Sequence, residues 1–143
     1  EEVAGHIYNG VVNRKKRIVL TTSSQYVSEA ARDVFAMEES LAAGLVMDEK
    51  GLLTGDLDGP LCYGDGKVIR AEQWAEEAGV DLDVSYFYSD SYSDIPMLER
   101  VGHPRVVNPD FRLRRIAKKK GWPILDWRYT ENAVELSNTD IAV

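Results

Sequence analysis

Cysteine is nearly missing from this chain. Cys62 is the only one in 143 residues, so no disulfide can form within it, and a reducing compartment is the default. No apolar run approaches the ~20 residues of a membrane span. The first five residues, Glu-Glu-Val-Ala-Gly, carry neither the basic nor the long apolar segment of a secretory signal. Positive charge is also short: 17 Lys and Arg stand against 24 Asp and Glu, for a net charge of −7. That removes the basic stripe expected of a nucleic-acid surface, and it bears on solubility rather than on substrate. There are no internal repeats and no low-complexity tracts. What remains is an ordinary globular composition, 44% hydrophobic and 29% charged, of a length that suits one domain with a sizeable core. The expectation is a cytoplasmic protein with no membrane span and no nucleic-acid partner.

Strand patterns alternate with helical ones, which predicts an α/β fold with a mostly parallel sheet and helices on both faces. Val3, Ile7, Val11 and Val12 share one face of a weak helix over residues 1–16. Ile18-Val19-Leu20 reads as a short buried strand that stops at Thr21-Thr22-Ser23-Ser24. A helix to about Glu38 then buries Val27, Ala30, Ala31, Val34 and Phe35. Within 42–57, two apolar stretches flank Asp48-Glu49-Lys50-Gly51, the pattern of a β-hairpin excursion. The next helix, from about Lys67 to Ala78, buries Val68, Ala71, Trp74, Ala75 and Ala78, and Gly79 ends it. A strand over Val84–Tyr88 leads into a polar knot, Ser89-Asp90-Ser91-Tyr92-Ser93-Asp94. Pro96 then opens a helix with Met97, Leu98 and Val101 inward, closed by Gly102. A strand over His103–Val107, a strongly basic helix over Phe111–Lys120 and a short strand at Ile124-Leu125 follow. Residues 1–127 form the expected core, and 128–143 show no period and read as a tail or arm.

Three features converge on one chemistry. Thr21-Thr22 places a hydroxyl and backbone N–H groups just past a buried strand, where they can hold a phosphate oxygen. Lys67 follows Gly64-Asp65-Gly66 at a helix start, where its charge and the helix N-terminus both favour an anion. Asp90 and Asp94, at the carboxyl end of an expected central strand, suit a hard cation such as Mg²⁺. Singly, each has a plainer reading: a helix cap, a surface lysine, a polar turn. The order hydroxyl, lysine, acidic pair, with strand–helix units between, is far more specific.

In that order, over Arg17 to Trp127, the chain resembles the haloacid dehalogenase (HAD) superfamily of phosphatases, in the branch that includes phosphoserine phosphatase. Thr21 matches the family's second motif. Lys67, within Tyr63-Gly64-Asp65-Gly66-Lys67, matches the third. Tyr88 to Asp94 matches the fourth, usually G-D-S-x-x-D, with Ser89 in place of the Gly. Val107-Asn108-Pro109-Asp110 looks like the strand-to-helix segment that follows. The resemblance implies a three-layer α/β/α Rossmann-like core and Mg²⁺-dependent hydrolysis of a small phosphorylated metabolite through an aspartyl-phosphate. It implies catalytic roles for Thr21 and Lys67, substrate binding at Thr22, Ser23 and Asn108, and metal binding at Asp90 and Asp94.

The family's first motif, D-x-D-x-T/V, has no match upstream of Thr21; no aspartate precedes Asp33. Asp56-Leu57-Asp58 falls after Thr21 and is followed by Gly59-Pro60, so it does not serve. The 59–67 stretch fails the P-loop spacing, with Val68 where a Ser or Thr belongs. Without that carboxylate, covalent phosphoryl transfer lacks its nucleophile. The expectation is therefore a C-terminal portion of a longer phosphatase, without its nucleophile strand and helical cap. Either a second chain or segment supplies the missing strand, or the Leu20 and Phe87 strands pair directly. The alternative is a non-catalytic HAD-like module that works only with a partner segment. A phosphotransfer receiver domain is disfavoured, because it needs its acids on the first strand.

Overall fold

The computed structural model describes residues 16–127. The expected weak helix over 1–16 and the 128–143 tail lie outside or at the edge of that range. Six strands and four α-helices follow in order: β1 (Ile18–Ser24), α1 (Gln25–Val34), β2 (Glu39–Met47), β3 (Leu53–Asp58), α2 (Asp65–Ala78), β4 (Tyr86–Ser89), α3 (Ile95–Arg100), β5 (His103–Val107), α4 (Phe111–Lys120) and β6 (Ile124–Leu125). Single 3₁₀ turns at Leu82–Val84 and Tyr92–Asp94 lead into β4 and α3. None of these helices is long and apolar enough to cross a membrane.

The strands form two three-membered sheets, ordered β1-β2-β3 and β4-β5-β6. β1 pairs parallel with β2 (Ile18 with Glu39, Leu20 with Leu41), and the register shifts between Leu20 and Ser24. β2 then turns back antiparallel onto β3 across the expected hairpin. Asp48 holds that turn by accepting from the N–H groups of Lys50 and Leu52 at 2.9 and 2.8 Å. β4, β5 and β6 are parallel throughout. Direct pairing of the Leu20 and Phe87 strands does not occur. Each half-sheet instead turns one edge, β1 or β4, toward no strand among the described residues.

One core joins the halves. Ala71, Trp74 and Ala75 of α2 pack with Leu82, Met97 and Val101, and Ile18, Leu20 and Leu41 of the first sheet and Phe87 of the second close on them. A second cluster, Leu98, Val106, Leu113 and Ala117, seats α3 and α4 on the β4–β6 half. Because paired residues share a face, Leu20 and Leu41 turn toward α2 while Val19 and Ser40 turn toward α1. The first half-sheet thus has a helix on each side.

Four boundaries differ from expectation. β1 does not stop at Leu20; the hydroxyl run continues it to Ser24. β2 starts at Glu39, since small residues, Ser40, Ala42 and Ala43, sit comfortably between β1 and the hairpin. The fourth strand begins at Tyr86, two residues late, because Asp81 accepts from the Asp83 N–H and winds 82–84 into a 3₁₀ turn, leaving Val84 exposed. The largest departure is α1. It ends at Val34, and Val27, Val34 and Phe35 face solvent at 58%, 78% and 47% exposure. Its inward residue is Ser28, whose hydroxyl donates to the Gln25 carbonyl at 2.9 Å and lies 3.4 Å from the Ser40 hydroxyl. The β2 face offers a small polar partner, so the helix turns its small polar side to it.

Candidate functional site

Lys67 sits in the first turn of α2 and is buried at 5% exposure. The turn before it is fixed by two glycines. Gly64 adopts φ +53°, and a Cβ on Gly66 would lie 1.8 Å from the Leu61 carbonyl oxygen, so only glycine lets the loop close there. The Lys67 ammonium lies 2.7 Å from Asp94 Oδ1, both side chains being buried. An ammonium carries three donors. Among the described residues, Asp94 is the one acceptor at bonding distance from this one. A charge taken out of water this far is stable only when its donors are met. The remaining donors of Lys67 make the site ready for an anion.

Asp94 ends the Tyr92–Asp94 turn. Its second oxygen, Oδ2, accepts from the Ser89 hydroxyl at 2.7 Å. That hydroxyl also accepts from the Ser91 N–H at 3.0 Å, so Ser89 fixes both the carboxylate and the turn that carries it. Ser91 in turn accepts from the Ser93 N–H at 3.3 Å. Ser89 is the site residue that sequence reasoning underrated, treating it as a mild replacement for glycine. A signal was present: Phe87 and Ser89 share a strand face, and Phe87 packs into both core clusters.

Thr21 lies in the irregular end of β1, where its Oγ1 accepts from the Ser23 N–H at 3.1 Å. Thr22 is exposed, and Ser24 opens α1 without a side-chain cap, leaving first-turn N–H groups uncapped beside this strand end. Cys62 links this strand to Lys67. It is wholly buried, and its thiol reaches the Leu41 carbonyl at 3.7 Å. Burial pushes the thiol above its ordinary value, while the Lys67 and Arg70 cations and the Thr21 main chain pull the other way. Thr21, Cys62, Lys67 and Asp94 therefore form one neighbourhood. Cys62 was unforeseen as a member, since a lone cysteine in a loop carries no spacing signal.

Asp90 and Asp94 have different surroundings. Asp90 is exposed and makes no hydrogen bond or ion pair among the described residues. With Tyr88, Ser89, Val107, Asn108 and Trp127 it lines a shallow pocket of about 220 Å³. Asn108 lines that pocket with its amide already engaged. It donates to the Trp127 carbonyl at 2.6 Å and accepts from the Trp127 N–H at 2.9 Å, its own backbone held at φ +41°. Tyr92, between the two acids, is half exposed, and the Arg112 guanidinium of α4 lies 5.9 Å from its ring centre.

No three acid, histidine or cysteine side chains converge as a ligand cluster among the described residues. The donor set still fits Mg²⁺, which is commonly held by one or two carboxylates with substrate phosphate and water completing the octahedron. Asp90 offers an uncommitted carboxylate. Asp94 has both oxygens engaged and fits best as the group that positions Lys67 and orients water.

The family model for haloacid dehalogenase-like hydrolases matches residues 13–99. The chain is 39% identical over 110 residues to the "Inhibition of morphological differentiation protein" of Streptomyces azureus, covering 77% of this chain and 39% of that protein. It is 33% identical over 114 residues to a histidinol-phosphatase of Neisseria meningitidis serogroup C (strain 8013), covering 78% of this chain and 51% of that protein. The chain thus spans about half or less of the length of these curated relatives. A crystal structure of a Bordetella pertussis Tohama I protein of unknown function superposes with a TM-score of 0.79 at 30% identity, over 86% of this chain and 56% of that one.

Proposed function

Because the chain belongs to the haloacid dehalogenase-like hydrolase family, we propose that it carries the phosphate-binding and metal-binding part of a Mg²⁺-dependent phosphomonoesterase acting on a small phosphorylated metabolite. The observation that carries this is the buried Lys67 ammonium, held by Asp94 with donors to spare. Thr21 and the main chain of Thr22 and Ser23 take the phosphate oxygens. Lys67 offsets charge on the transferring group, where a preorganised cation acts most strongly. Asp94 positions Lys67, and Ser89 positions Asp94. Asp90 holds Mg²⁺, which when bound supplies charge neutralisation at the phosphoryl oxygens. Asn108 acts indirectly, by fixing the Trp127 main chain at the pocket wall. With its one cysteine buried and reduced, the protein suits the cytoplasm.

Attack on phosphorus needs a carboxylate, and no aspartate precedes Asp33 in these 143 residues. We assign that group to another segment or chain. The same observation favours a second reading, a non-catalytic module of the family that works with a partner segment. Calorimetric titration of the chain with inorganic phosphate, with and without Mg²⁺, tests the first. Binding that requires Mg²⁺ and is lost in Lys67→Met is the expected result. Absence of binding would leave the second reading. Rapid turnover of p-nitrophenyl phosphate by this chain alone would overturn the assignment of the nucleophile elsewhere.

A further inference from the structure

We propose that Arg112 is a second anion-recognising residue at the rim of this site, so that the substrate class is a phosphomonoester bearing another anionic group, a carboxylate or a further phosphoryl. This rests on the phosphate-binding reading above and goes beyond it.

Tyr92 stands two residues from each of Asp90 and Asp94, half exposed, and Arg112 lies 5.9 Å from the centre of its ring. The base of Arg112 is rigidly placed. Asp110 caps α4 by accepting from the Leu113 N–H at 2.7 Å, and Leu113 is fully buried. Arg100 has Glu72 and Asp83, and Lys120 has Glu99; Arg105, 5.0 Å from the Tyr86 ring centre, donates to the Pro104 carbonyl at 2.9 Å. Arg112 has no carboxylate at ion-pair distance among the described residues. A guanidinium laid against an aromatic face keeps its planar edge of N–H donors free, and that edge matches a carboxylate or phosphoryl group bidentately. Arg115 and Lys119, three and seven residues on, continue the same side of α4 and deepen the positive potential there. Lys67 takes the reacting phosphate at the centre, where Asp90 would hold Mg²⁺; Arg112 takes the second anion at the edge.

The test is calorimetric binding, in Mg²⁺, of two matched pairs to the chain: sn-glycerol 3-phosphate against 3-phosphoglycerate, and fructose 6-phosphate against fructose 1,6-bisphosphate. Wild type should prefer the doubly anionic member of at least one pair by about tenfold, the worth of one charge-assisted contact. The pair that shows it identifies the second anion. Arg112→Gln should erase the preference while leaving the singly anionic affinity in place. Arg114→Gln, the same charge change on the same helix, should retain it. Absence of preference in wild type, its persistence in Arg112→Gln, or equal loss in Arg114→Gln would each overturn the role of Arg112 and leave the phosphate site standing. Failure of every ester to bind would overturn both.

Discussion

Lys67, Asp94 and Ser89 act as a unit, because each satisfies a group that would otherwise be buried alone. Removing one partner of a buried ion pair strands the other, at a cost of about 3–5 kcal/mol, whereas replacing both by apolar groups can be far milder. Lys67→Met should therefore lower unfolding free energy by about that amount in urea titrations, and Lys67→Met/Asp94→Leu should recover part of it. A double variant less stable than the single would contradict the pairing. Cys62 gives a pH dependence opposite in sense to that of a carboxylate whose folded value is lowered. Burial raises its thiol above 9.0, so the fold favours the neutral form. That contribution is fully present below pH 9 and is lost as pH rises from there through the raised folded value. Stability measured from pH 8 to 11 should fall more steeply for wild type than for Cys62→Ala; superimposable slopes would show that burial does not hold the proton.

At the scale of elements, α2 starts where it does because the preceding loop passes against Gly66. Gly66→Ala should cost about 3 kcal/mol, since the added methyl meets main chain that cannot swing aside. Gly79→Ala, at a left-handed helix end with nothing nearby, should cost only about 1 kcal/mol. Similar losses at both sites would remove the close-approach explanation. The starts of β1 and β2 are tied by Arg17, which meets Glu38 through both its N–H and its guanidinium. Burial pushes the Glu38 carboxyl up, but those bonds outweigh it and hold it below 4.5. Their contribution exists above pH 4.5 and disappears as pH falls through the lower folded value, so Glu38→Gln should flatten the acid limb of the stability profile. Element identity was largely legible: the stripe Ala71, Trp74, Ala75 and the run Met97, Leu98, Val101 faced inward as their spacing required. The α1 face was not legible, because a run of apolar residues at helical spacing does not reveal that its neighbour presents Ser40. Of the candidate site, the structure brings Lys67 and Asp94 within 2.7 Å and leaves Asp90 on a separate pocket wall. Its buried thiol was not legible, since Cys62 gains its place from the Leu41 strand, distant in sequence; Ser89, whose partners Ser91 and Asp94 are local, carried a fainter signal in its shared face with Phe87.

The molecule as a whole is two half-sheets leaning on one core. β5 lies between β4 and β6 with Val106 fully buried, whereas every residue of β3 is exposed. Amide exchange should show the slowest protons in β5 and rapid exchange in β3, because local opening of an exposed edge hairpin exposes little apolar surface. Equal protection of both would mean that the halves unfold only together. The edges of β1 and β4, unpaired among the described residues, are places where another strand can add, by the same hydrogen-bonding that makes any open edge a template.

Helix α4 holds six of the 17 basic residues and none of the 24 acidic ones. The chain is thus an electric dipole as well as a net anion. The six cations of α4 attract a small anion approaching along that helix, against the repulsion of the net negative charge. Arrival at the Tyr92 end is then a matter of angle before it is a matter of contact, and added salt should level the difference between directions more than it weakens the bound state.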